Sequence, residues 1–171
     1  MVSPAERIPL SPSKTYTVEF QTSEGTFTVT LDQKDSPLTT ASFAALVRKK
    51  YFDGTIFHRI IPGFLFQGGD PTGTGQGFPG YTVTDKPPAG TRYTPGVIAM
   101  AKTNAQPAGT SGSQFFVITK GQPLKGQPLY AVLGRVTAGM DVVQKIGKLG
   151  DVATELPTKR VVIKHALLHV G

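Results

Sequence analysis

The chain has no cysteine and no tryptophan, and only 17% of its residues are charged. Without cysteine it forms no disulfide, offers no thiolate to a metal and has no cysteine nucleophile. No run approaches the ~18 consecutive apolar residues of a membrane helix. The first residues, Met1-Val2-Ser3-Pro4-Ala5-Glu6-Arg7, lack the apolar stretch of a secretory signal. A soluble protein without a membrane span is therefore expected, cytoplasmic as the chain stands. The alternative is the extracytoplasmic part of a longer, membrane-anchored precursor. The glycine-rich stretch 68–80 has no GK[ST] ending and so is no phosphate cradle. No G-x-S-x-G elbow is present, which removes the main hydrolase signature.

Turn-formers, by contrast, are plentiful, with 20 glycines and 14 prolines. They point to many short elements rather than long helices. A length of 171 residues suits one domain with a sizeable core. The net charge of +7 is scattered, and its densest cluster is Arg48-Lys49-Lys50. At a helix end such a cluster is favoured by the helix dipole. With no aromatic-basic interleaving, nucleic acid is not an expected partner. The expected state is a monomer.

Residues 1–14 hold three prolines and no periodicity, and read as a flexible N-terminal arm before a domain spanning 15–171. Tyr16-Thr17-Val18-Glu19-Phe20 alternates, Ser23-Glu24-Gly25 turns, and Phe27-Thr28-Val29-Thr30-Leu31 alternates again, which is a β-hairpin. Ser36 is placed to cap a helix, with Pro37 at its first position. Phe43, Leu46, Val47 and Tyr51 recur at helical spacing, and the helix should end near Lys50, before Asp53-Gly54. Short apolar runs follow at 55–61, 64–67, 96–101, 114–119 and 130–136, each read as a strand. A second helix is expected over 140–149 and a closing strand over 161–170. About eight strands and two helices predict a mainly β fold, a closed eight-stranded antiparallel barrel capped by two helices, since closure removes exposed sheet edges.

Two segments are too specific to be composition alone. One is Phe57-His58-Arg59-Ile60-Ile61-Pro62-Gly63-Phe64-Leu65-Phe66-Gln67-Gly68-Gly69-Asp70, and the other is Gly112-Ser113-Gln114-Phe115-Phe116-Val117-Ile118-Thr119. Together they resemble the signature of the cyclophilin-type peptidyl-prolyl cis-trans isomerases. Tyr51 to Thr55, Pro95 to Ala101 and Tyr130 to Val136 fit the same family in the same order. The resemblance implies the barrel fold, with a proline site on its outer face. It implies no metal and no cofactor. It makes Arg59 the catalytic arginine and Phe64, Leu65 and Phe116 the walls of the proline pocket. Gln67 becomes the glutamine that steadies the arginine and meets the substrate backbone, and Ala101 and Gln114 meet the substrate on the other side of the proline. Lys102 or Thr103 stands where well-studied members have an asparagine. Leu124 is the nearest candidate for a missing rim tryptophan, and Tyr130 replaces a rim histidine, as in several bacterial forms. With the loop Asp70-Pro71-Thr72-Gly73-Thr74-Gly75, Tyr130 resembles actinobacterial members. The altered rim implies weakened affinity for cyclosporin-type ligands.

The implied activity is rotation of X–Pro bonds in unfolded or flexible chains, as an aid to protein folding. The alternative is a chaperone-like module that binds proline-containing segments, with incidental turnover. Read singly, the residues also have plainer roles. Strand alternation places Phe57, Arg59 and Ile61 on one face, where an arginine can simply cover a barrel wall. Phe64 and Phe116 are ordinary core residues outside the motif. His58 reads as a packed histidine, and His165 and His169 as structural residues of the last strand.

Overall fold

The computed structural model describes residues 9–121 and 126–171. The hairpin forms where the alternation predicts it, as β1 (Tyr16–Thr22) and β2 (Gly25–Leu31). Val18 faces Val29 and Phe20 faces Phe27, so both inward rows are apolar. A helix follows, α1 (Pro37–Arg48), with Pro37 in its first turn. The expected cap does not form, because the Ser36 side chain makes no capping bond. Asp85, which the sequence did not single out, accepts from the Thr39 amide at 2.6 Å instead. A carboxylate there satisfies an orphan N–H and meets the positive end of the helix.

The remaining elements are β3 (Arg59–Ile61), β4 (Leu65–Gly68), β5 (Val83–Thr84), β6 (Val97–Met100), β7 (Thr110–Ser111), β8 (Phe115–Ile118), β9 (Val132–Ala138), α2 (Met140–Ile146) and β10 (Ile163–Val170). Eight strands form one antiparallel sheet in the order β10-β1-β2-β9-β6-β8-β4-β3, and β5 and β7 pair separately. The short β5–β7 pair was not legible as strand, being two residues on each side.

The sheet curls until its two edges approach, but the seam is not a full ladder. Ile56 and Val162 make an isolated bridge. Gly54 N donates to Ile163 O at 2.8 Å, Ile163 N to Thr55 O at 2.8 Å and Phe57 N to Val161 O at 3.1 Å. The expected strand over 55–61 is thus divided. Its first half pairs with the chain leading into β10, and its second half, β3, pairs with β4. This change of partner overturns the predicted alternation: Phe57 is fully buried while Arg59 is exposed.

Seven phenylalanines, Phe20, Phe27, Phe43, Phe52, Phe57, Phe66 and Phe115, are fully buried in the core. A second, smaller apolar cluster lies apart from it, comprising Leu65, Tyr93, Val97, Ala99, Phe116 and Ile118. The period of two along β4, β6 and β8 produces both clusters. Phe66, Val117 and Ile98 align on the core side. Leu65, Phe116 and Ala99 align on the other. Of the expected arm, residues 1–8 lie outside the described residues. In 9–14, Leu10 packs against the core cluster, and Lys14 O accepts from Gln33 Nε2 at 2.7 Å.

Candidate active site

The outer row is assembled by strand register. Arg59 is opposite Gln67, Gln67 is opposite Phe116, and Phe116 is opposite Ala99. Paired residues in a ladder project to the same face, so Arg59, Gln67 and Phe116 share one surface. Phe64, Ala101 and Tyr130 are partly buried against the same cluster. Phe116 and Leu65 are 4% and 6% exposed, an apolar floor almost closed to water. Leu124 lies outside the described residues.

Tyr130 forms one wall, its ring edge-on to Phe116 with centroids 5.1 Å apart. Tyr93 holds it there. Its hydroxyl donates to Tyr130 O at 2.6 Å and accepts from Tyr130 N at 2.9 Å. Burial raises the pKa of Tyr93, so the hydroxyl keeps its proton to give. The Lys102 ammonium lies 5.9 Å from the centroid of the Tyr130 ring. Tyr93 was not singled out from the sequence, since no motif surrounds it.

The polar side is a chain of side-chain amides. Gln114 Nε2 donates to Gly75 O and Gly77 O, both at 2.9 Å. Carbonyls only accept, so this settles the orientation of the Gln114 amide. Its Oε1 therefore faces Gln67, whose Nε2 donates to it at 3.0 Å. The loop carrying the two carbonyls is organised by Asp70, which is 0% exposed. One Asp70 oxygen accepts from Thr72 N at 2.8 Å and Thr72 Oγ1 at 2.7 Å, and the other from Gly75 N at 2.6 Å. Burial would raise the pKa of Asp70, but the bonds from Thr72 and from the amides of Gly77, Thr72 and Gly75 more than offset it, and the net shift is downward. A Cβ at Gly77 would collide with the Asp70 carboxylate, so that position must be glycine. Beside these groups is a hollow of about 340 Å³, lined by Gln67, Gly75, Ala101, Lys102 and Gln114 among others. A larger hollow of about 850 Å³, between Leu10, Pro12, Leu38 and Val83, includes none of the site residues.

Arg59 does not have the partner that the family resemblance implies. Gln67 gives its amide to Gln114, and the Arg59 Nε donates to Glu155 Oε2 at 2.6 Å. The two side chains are 45% and 37% exposed. Glu155 stands alone in a turn-rich stretch of the sequence, and nothing there linked it to Arg59. His58, next to Arg59, is half-buried, and its Nδ1 has no hydrogen-bond partner among the described residues. Burial lowers its pKa, with Asp70 opposing and Arg59 reinforcing, so the ring is neutral near pH 7. His165 and His169 lie on β10, beside Asp53 at 3.1 Å and Glu19 at 3.5 Å. Among the described residues no group of three or more His, Asp or Glu could hold a metal ion.

Comparison with known proteins bears on the whole chain. The family model for cyclophilin type peptidyl-prolyl cis-trans isomerase/CLD matches residues 17–167. A peptidyl-prolyl cis-trans isomerase-like 1 of Aspergillus fumigatus is 41% identical over 154 residues, covering 87% of this chain and 92% of the relative. The peptidyl-prolyl cis-trans isomerase CYP18-2 of Arabidopsis thaliana is 40% identical over 151 residues, covering 85% and 89%. A crystal structure of a cyclophilin type isomerase from Cryptosporidium parvum superposes with a TM-score of 0.81 at 30% identity, over 91% of this chain and 98% of that one. A second structure of that protein, in the presence of the dipeptide Ala-Pro, superposes with a TM-score of 0.79 at 31% identity, over 90% and 98%. With a family match spanning β1 to β10, an outer apolar cluster and a row of Arg59, Gln67 and Phe116 beside it, the chain belongs to the cyclophilin-type peptidyl-prolyl cis-trans isomerases.

Proposed function

We propose that this isomerase works through Arg59, with Phe64, Leu65, Phe116 and Tyr130 gripping the proline ring and Gln67, Ala101 and Gln114 engaging the residues before it. The observation that supports this reading is the register row, which sets a charged donor beside an apolar floor. The planar amide resists rotation by ~18–20 kcal/mol because resonance stiffens the C–N bond. In the twisted transition state the proline nitrogen has lost conjugation and carries a usable lone pair. A guanidinium donor aimed at that nitrogen stabilises the twisted form and not the planar one, which is what acceleration requires. Arginine suits this because it stays charged and presents a rigid fork.

One charge-assisted hydrogen bond contributes ~1.5–3 kcal/mol net, or about 10- to 100-fold in rate. The remainder comes from a dry pocket that holds one side of the bond while the other turns. Thr103 N already donates to Gln106 Oε1 at 2.9 Å. This favours the main chain of Lys102 as the substitute for the family's substrate-binding asparagine. X–Pro segments of unfolded or flexible chains are the proposed substrates, in keeping with the Ala-Pro dipeptide of the Cryptosporidium structure. Weakened cyclosporin affinity, read from Tyr130 and Leu124, is a further part of the proposal. The bacterial reading rests on Tyr130 and the 70–75 loop alone, and the relatives above come from Aspergillus and Arabidopsis.

The test is two-dimensional NMR exchange on an Ala-Pro peptide with wild-type protein and Arg59→Ala. The expected result is rapid exchange that falls about 10- to 100-fold in the variant. An unchanged rate in Arg59→Ala would remove Arg59 from the mechanism.

A further inference from the structure

Arg59 is held by a residue 96 positions away in the chain. The bond uses Nε, and among the described residues the two terminal nitrogens of the guanidinium have no partner. Glu155 is itself held in place by its main chain. Ile60, the residue after Arg59, donates its amide to Glu155 O at 2.9 Å. The loop around Glu155 is closed on itself. Asp151 N donates to Leu156 O and Glu155 N to Asp151 O, each at 2.9 Å. Asp151 Oδ1 accepts from the amides of Ala153 and Thr154, each at 2.8 Å. Glu155 adopts φ 61°, a left-handed conformation that favours glycine or asparagine over a long side chain. A long acidic side chain is thus kept where the backbone disfavours it, and it meets Arg59.

We infer that Glu155 is the positioning residue of Arg59, taking the steadying role in place of Gln67, which makes no hydrogen bond to Arg59 in this structure. This rests on Arg59 acting at the twisted amide. The guanidinium is planar, so a bond at Nε restrains its plane and leaves the two Nη groups as the donors for substrate. Preorganising a donor in this way speeds reaction without changing which residues touch the substrate. An exposed pair contributes little to stability, so its loss should be read in rate and not in folding. The same exposure makes it sensitive to salt.

The experiment compares wild type, Glu155→Ala, Glu155→Gln and Glu155→Gly on an Ala-Pro peptide, with Arg59→Ala as reference. Glu155→Gly takes the left-handed backbone without strain, so it keeps the fold even if Glu155→Ala loses stability. The expected result is a fall of about fivefold in kcat for Glu155→Ala and Glu155→Gly, with KM unchanged and partial recovery in Glu155→Gln. Salt of about 1 M should lower wild-type kcat toward that of Glu155→Ala and leave the variant unaffected. The Arg59 Nε–H signal, read by ¹⁵N NMR, should shift in Glu155→Ala and Glu155→Gly. Unchanged kcat in Glu155→Gly would overturn the inference, and increased kcat would show a latch instead of a guide. If Arg59→Ala is itself without effect, the role of Arg59 fails first. If only the Glu155 variants are silent, this inference fails alone.

Discussion

Phe115 and Phe116 are adjacent in sequence and belong to different apolar clusters. Phe115 packs among the core rings of Phe20, Phe43, Phe52 and Phe57, whereas Phe116 lies in the outer cluster against Tyr130. One strand therefore serves the core with one residue and the outer cluster with the next. Phe115→Ala should lower unfolding free energy by about 3–5 kcal/mol, measured by urea titration. Phe116→Ala should lower it by less and raise KM for an X–Pro peptide. Equal stability losses would contradict the two-face arrangement.

Tyr93 is predicted to act only through Tyr130. Tyr93→Phe removes the hydroxyl that pairs with both main-chain groups of Tyr130 while the rings stay in contact. KM should rise about three- to tenfold, the equivalent of roughly 1 kcal/mol, with kcat little changed. A fall in kcat alone would show that the Tyr130 wall is not what Tyr93 secures.

Asp70→Asn should loosen the loop that holds Gln114. The new amide group must face either the Thr72 donors or the Gly75 amide, and a buried unpaired donor costs ~1–3 kcal/mol. Gly75 should then exchange its amide hydrogen faster, and kcat/KM should fall because Gln114 loses its carbonyl anchors. Normal exchange at Gly75 together with reduced activity would place the effect elsewhere.

Glu24 gives a pH-dependent contribution. Its carboxylate is 2% exposed in the β1–β2 turn and meets Lys159 at 2.6 Å and Lys145 at 3.1 Å. The Lys159 bond, then the Lys145 bond, lowers its pKa against the opposing effect of burial. A depressed pKa means that the native state binds fewer protons than the unfolded chain. The stabilisation is therefore complete above the unfolded carboxylate pKa and is lost as pH falls through the native value. Both ammonium groups are largely in water, so the contribution is about 1 kcal/mol. Glu24→Gln should lower the urea midpoint at pH 7, and the difference from wild type should shrink near pH 3. A difference that persisted in acid would point to packing rather than charge.

Much of the fold was legible because it is local. The alternation of 16–20 and 27–31 produced β1 and β2, and helical spacing through Phe43, Leu46 and Val47 produced α1. What failed depends on distant chain. Ser36 is a sound capping residue by type, yet Asp85 occupies the helix end because the loop after β5 brings it there. The alternation through Phe57 and Arg59 failed because the chain changes pairing partner between them.

By itself, the sequence determined the two segments from which the candidate site is built. Arg59, Phe64, Leu65 and Gln67 lie in one contiguous segment and Gln114 and Phe116 in another, and strand period assigns each to a face. Only the tertiary structure decided what holds them. Glu155 takes Arg59 from 96 residues away, Tyr93 clamps Tyr130 across 37, and the carbonyls of Gly75 and Gly77 bind Gln114 across 39 and 37. The reason is physical. Side-chain periodicity is set by bond geometry within a segment, whereas a hydrogen-bond partner is set by which loop the folded chain brings within ~3 Å.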